Sequence, residues 1–149
     1  MHPTARRSSA RAATIVEQVL YADASALVKL LVREPESAAL AAWIPRNARV
    51  LSSDVSLIEV GRFLRVSGLA DELETDLGDA LSGCSLVDID RSVVRAAAAL
   101  ASESLKPLDA IQLATALDVD PDAMLVYDRV LARAAAGLGL RVESPGAEP

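Results

Sequence analysis

From residue 19 onward, short apolar runs alternate with stretches in which apolar positions recur at helical spacing. Residues 19–23 read as a strand, followed by a helix over 25–33 stopped by Pro35 and another over 36–44 stopped by Pro45. Residues 49–52 form a second expected strand, 54–66 a helix ended at Gly68, and 69–81 an acidic helix closed by Gly83. A third strand is expected over 84–89 and an Ala-rich helix over 92–102. Pro107 opens a helix running to about 117, since proline suits a first helical position. A fourth strand over 123–127, a helix over 128–138 stopped at Gly137 and Gly139, and a short strand at 141–142 complete the pattern. Short strands separated by helices predict a parallel sheet. With no repeat and no linker, residues 19–145 are expected to fold as one α/β domain.

Composition narrows the chemistry. At 149 residues and 52% apolar content, the chain can bury one sizeable core and is not disordered over most of its length. Aromatic residues make up only 3%, which excludes a stacking platform for single strands. A single cysteine, Cys84, excludes a disulfide framework and a cysteine-built zinc site. The single histidine, His2, excludes a histidine triad or an imidazole metal site. Chemistry therefore rests on carboxylates, hydroxyls and arginines, with or without a metal. A net charge of −6 argues against binding nucleic acid by bulk positive charge, but acids gathered around a metal leave a nucleic-acid enzyme open.

No run approaches the ~20 apolar residues of a membrane span. Residues 1–18 read as a disordered tail: Arg6-Arg7 suggests an export signal, but Arg11 and Glu17 break the apolar stretch such a signal needs. The protein is expected to be cytoplasmic.

Four acids stand out by position. Asp23 ends the first strand, Asp128 follows the fourth, Asp109 lies in the first turn after Pro107, and Glu59 lies within the helix over 54–66. In open parallel sheets, sites form beyond the carboxyl ends of strands. Each acid also has a plain structural reading. Asp23 and Asp128 suit helix N-caps, and Asp109 suits a first turn. Glu59 falls in the apolar sector with Val55, Phe63 and Val66, where a lone carboxylate is costly; Arg62 is its nearest candidate ion-pair partner. Asp109 shares an inward stripe with Leu113 and Ala116. Crowded carboxylates repel unless a hard cation joins them, and oxygen-only ligation suits Mg²⁺ or Mn²⁺. Such a site can activate water for phosphodiester hydrolysis.

At these residues the sequence resembles PIN-domain nucleases, above all the VapC-like ribonuclease toxins of toxin–antitoxin modules. The pieces that carry the resemblance are Tyr21-Ala-Asp-Ala-Ser-Ala-Leu-Val-Lys29, Leu57-Ile-Glu-Val60, Leu108-Asp-Ala-Ile-Gln-Leu-Ala-Thr-Ala-Leu117 and Leu125-Val-Tyr-Asp-Arg-Val-Leu131, in the family's order. The resemblance implies a three-layer α/β/α sandwich with a central, mainly parallel sheet. It also implies a metal site of Asp23, Glu59, Asp109 and Asp128, with Ser25 as a supporting hydroxyl whose alternative role is a cap. Cleavage of RNA with Mg²⁺ or Mn²⁺, a homodimer and an antitoxin that blocks the site are further implications. The chain departs from the family at Ala24, where a hydroxyl residue is frequent.

Two other functions compete. Aspartyl phosphotransfer needs a second acid beside the first and a late lysine; Ala22, Ala24 and Ser25 surround Asp23 and no lysine follows Lys106. A non-catalytic PIN module that binds RNA or a protein is the main alternative. Asp54, and Asp88 or Asp90, are expected to cap helices, Trp43 and Phe63 to sit in the core, and Cys84 to be an inert thiol. The acidic run 71–76 reads as a solvated face.

Overall fold

A computed structural model describes residues 16–69, 77 and 81–149. Strand β1 (Val19–Ala22) leads through Asp23 into helix α1 (Ala24–Leu31), and α2 (Ser37–Trp43) follows. The chain returns to the sheet as β2 (Arg49–Ser53), leaves along α3 (Val55–Val66), and enters β3 (Cys84–Val87). Helices α4 (Arg91–Ala99) and α5 (Pro107–Val119) precede β4 (Ala123–Leu125), α6 (Arg129–Gly137) and β5 (Val142–Glu143). The sheet order is β3-β2-β1-β4-β5, and every pairing is parallel.

Two-faced burial explains why the central strands read as unbroken apolar runs. Leu20 and Ala22 of β1 face one core with Ala123 and Leu125 of β4, into which α1, α2 and α3 send Leu27, Leu40, Val60 and Leu64. Tyr21 and Met124 face the opposite core with Leu51, Leu113 of α5 and Leu131 of α6. Helix α4 packs on the outside of α5 through Val93, Ala97 and Ala114. The result is helices on both faces of one sheet, the layered architecture expected from the motifs. The sheet is wholly parallel where a mainly parallel one was expected.

Element ends differ from expectation for local reasons. Strand β4 stops at Leu125, not 127, because the Tyr127 N–H turns aside to donate to Ser25 Oγ at 2.9 Å. Helix α5 runs on to Val119 and closes with Asp120 in the left-handed region, φ +48°. Helix α4 ends at Ala99, short of the expected 102, and β3 ends at Val87 rather than 89. Residues 1–15 of the expected tail, and the expected acidic helix over 69–81 with its run 71–76, apart from residues 69, 77 and 81, lie outside the described residues.

Candidate active site

The chain builds outward from β1 through β2 to β3, then returns to place β4 on the other side of β1. The carboxyl ends of β1 and β4 therefore flank the point where strand order reverses, the customary crevice of an open α/β sheet. Asp23 follows β1 directly, and its backbone N–H donates to Leu125 O of β4 at 3.1 Å. Asp128 stands three residues beyond β4. Asp109 enters from the first turn of α5, and Glu59 from the second turn of α3.

Asp23 is the most enclosed of the four, 4% exposed. Its carboxylate caps α1 by accepting from the Ala26 N–H at 3.0 Å and also accepts from Ser25 Oγ at 2.6 Å. Ser25 Oγ in turn accepts the Tyr127 N–H, so one hydroxyl ties Asp23 to the segment that carries Asp128. The cap of α1 is thus Asp23 itself and not Ser25. Asp128 caps α6 by accepting from the Leu131 N–H at 2.8 Å. Cap and site member are therefore not exclusive readings for either acid.

Burial pushes the Asp23 carboxyl up to about 7, against the opposing bonds from Ser25 and Ala26, with Glu59 and Asp128 adding repulsion. Glu59 is raised by burial and by Asp109, and Asp109 by burial and by Asp128. These couplings run from Asp23 to Glu59, to Asp109, to Asp128 and back, so all four acids share one electrostatic neighbourhood. Among the described residues, however, no three acidic, histidine or cysteine side chains are gathered closely enough to hold an ion as they stand. The donor set itself fits a hard divalent ion: the ligands are oxygens only, and the carboxyls of Asp23, Glu59 and Asp109 are raised by burial and by neighbouring acids.

Glu59 is met by Gln112 Nε2 at 3.2 Å and not by Arg62, which is exposed. For Gln112, Ser52, Ser56 and Tyr127 the only sequence signal is a polar residue inside an apolar stretch. Asp54 sits at the start of α3 without a side-chain cap bond; Ser53 Oγ accepts the Val55 N–H instead. Asp90 does cap α4, accepting from Val93 N–H at 2.9 Å. Phe63 is 37% exposed rather than core, and lines a cleft of about 340 Å³ with Ser25, Lys29, Tyr127 and Asp128. Trp43 packs against the core partly buried, and burial pushes the Cys84 thiol up to about 11, which keeps it protonated.

The PIN domain family profile matches residues 20–137, a span containing all four acids. The chain belongs to the PIN domain family. Ribonuclease VapC46 of Mycobacterium tuberculosis is 40% identical over 129 residues, covering 85% of this chain and 97% of that protein. Ribonuclease VapC35 of the same organism is 36% identical over 134 residues, covering 86% and 98%. Among solved structures, a toxin–antitoxin complex from Klebsiella pneumoniae superposes with a TM-score of 0.61 at 25% identity, over 89% of this chain and 100% of that one. Mycobacterium tuberculosis VapC20, described as a sarcin-ricin loop cleaving toxin, shares the fold with a TM-score of 0.64 at 12% identity, over 81% and 95%. This PIN domain therefore carries Asp23 and Asp128 at strand ends, and Glu59 and Asp109 on helices, of a fold held in common with those proteins.

Proposed function

We propose that this PIN protein is an endoribonuclease, the toxin of a toxin–antitoxin pair, and that its cleavage depends on Mg²⁺, with Mn²⁺ able to substitute. One observation carries the reading: four acids from four separate segments are electrostatically coupled around the switch point of a chain 40% identical to a named ribonuclease. Asp23, Glu59, Asp109 and Asp128 would hold the ion. When bound, it supplies positive charge to the phosphodiester's developing oxyanion and lowers the pKa of the attacking water. The chain's own part is to hold the carboxylates ready. Ser25 and the Ala26 N–H fix the rotation of Asp23, the first turn of α5 presents Asp109, the N-cap position of α6 presents Asp128, and Gln112 meets Glu59. Phe63 and Tyr127 flank the cleft beside Ser25 and Asp128, where an RNA strand would enter.

The partners follow from the same reading: RNA as substrate, and an antitoxin, as in the neighbouring complexes. We also expect a homodimer, read by light scattering as twice the 15.6 kDa chain. No helix among the described residues is long and apolar enough to cross a membrane.

The test is incubation of the purified protein, free of any co-purified partner, with total RNA in Mg²⁺, Mn²⁺ or EDTA beside an Asp109→Asn control. Discrete fragments that need metal and disappear in the variant are expected. Absence of cleavage would favour a PIN module that binds without cutting, and cleavage unaffected by EDTA would remove the four-carboxylate mechanism.

A further inference from the structure

Between the sheet and the pair α3/α5 runs a line of buried polar groups where apolar side chains would have sufficed. Tyr21 and Gln112 are 0% and 1% exposed, and Ser52 and Ser56 are both 0%. Tyr21 Oη meets Gln112 Oε1 at 2.5 Å. Gln112 Nε2 donates to Ser56 Oγ at 2.8 Å and to Glu59 Oε1 at 3.2 Å. Ser56 Oγ lies 2.7 Å from Ser52 Oγ, and Ser52 Oγ donates to Ala22 O at 2.5 Å. No buried side-chain nitrogen or oxygen among the described residues lacks a partner.

The proton positions along this line follow from its two ends. Ala22 O can only accept, so Ser52 spends its proton there, and Ser56 must donate to Ser52. Ser56 Oγ is then an acceptor toward Gln112, as the Glu59 carboxylate is. Both face the NH₂ end of the amide. The carbonyl end is left for the Tyr21 hydroxyl, which donates to it. A rotated amide would set its oxygen against Ser56 and Glu59, two groups with no proton to offer. The line thus links the residue before Asp23 to Glu59, and a buried network of this kind costs stability unless every member is satisfied.

We propose that Tyr21 and Gln112 are positioning residues of the metal site: the phenol sets the rotation of the Gln112 amide, and the amide holds Glu59 Oε1. Glu59 Oε2, which no hydrogen bond engages among the described residues, is left to face the ion. The proposal rests on the reading of the four acids as a divalent-cation centre and adds two residues from outside them.

The test is Mn²⁺ binding, read by the electron paramagnetic resonance signal of free Mn²⁺ on the full chain without RNA. Wild type is compared with Glu59→Gln, Gln112→Met, Tyr21→Phe and the Tyr21→Phe/Glu59→Gln double variant. Loss of such an outer partner weakens metal binding by about 10-fold, so Gln112→Met and Tyr21→Phe should each do so. The double variant should bind no more weakly than Glu59→Gln alone, because the phenol acts through that carboxylate. Should Gln112→Met fail to fold, Tyr21→Phe differs from wild type by one hydroxyl and carries the test. Wild-type affinity in folded Tyr21→Phe, or additive losses in the double variant, would overturn the proposal while the metal site stands. Absence of Mn²⁺ binding by wild type, or no loss in Glu59→Gln, would overturn the site and the proposal together.

Discussion

Asp23 is held at a cost to the fold, and that cost can be measured. Burial raises its carboxyl from an ordinary 3.8 to about 7. Between those two values the folded chain keeps a proton that the unfolded chain releases. Stability of the metal-free protein should therefore fall as pH rises from about 4 to about 7, and stay reduced above that. Asparagine at this position can still accept from Ser25 and the Ala26 N–H but carries no charge. In EDTA at pH 8, Asp23→Asn should melt above wild type, with the gap closing toward pH 4, while RNA cleavage is lost. A variant that melts at or below wild type at pH 8 would contradict the buried-charge account. The residue scale was half legible in the sequence. Asp23 stood at a strand end by position alone, but its enclosure depends on β4 and on Ser25, which close over it only in the folded chain.

At the scale of elements, three aspartates cap three helices: Asp23 on α1, Asp90 on α4 and Asp128 on α6. Sequence cannot separate an aspartate that only caps from one that caps and also serves a site, because the local signal is the same hydrogen bond. The fold separates them. Helix α4 packs on the outer side of α5, whereas α1 and α6 start at the strand ends that flank the switch point. Asp90→Ala should cost about 1 kcal/mol in denaturant unfolding and leave cleavage unchanged. Asp128→Asn keeps a capping oxygen, so its unfolding midpoint should stay close to wild type while cleavage collapses. Loss of activity in Asp90→Ala, or retention in Asp128→Asn, would reverse this division. Element ends were less legible than elements. Strand β4 ends where the Ser25 hydroxyl takes the Tyr127 N–H, a bond spanning 102 positions that no window of sequence contains.

For the whole molecule, the four acids become electrostatic neighbours only in the folded state, so an ion that joins them would bind the native chain and not the unfolded one. Under the proposed function, Mg²⁺ or Mn²⁺ should raise the melting temperature progressively with concentration at pH 8. The rise should shrink toward pH 5, where Asp23 takes up a proton that the cation must displace. Melts that ignore both metals at pH 8 would count against the centre.

What the sequence by itself determined was the α/β alternation and the place of each of the four acids along it. Apolar periodicity and helix starts are short-range properties, and Pro107, Asp23 and the stripe from Asp109 to Ala116 show them within a few residues. What only the tertiary structure decided was who stands next to whom. Glu59 looked to Arg62 one turn away, yet its partner is Gln112, 53 positions distant on α5. The arginine side of α3 faces solvent, where an ion pair gains little. The other side faces α5, where a half-buried carboxylate requires a donor, and the packing of the two helices brings one.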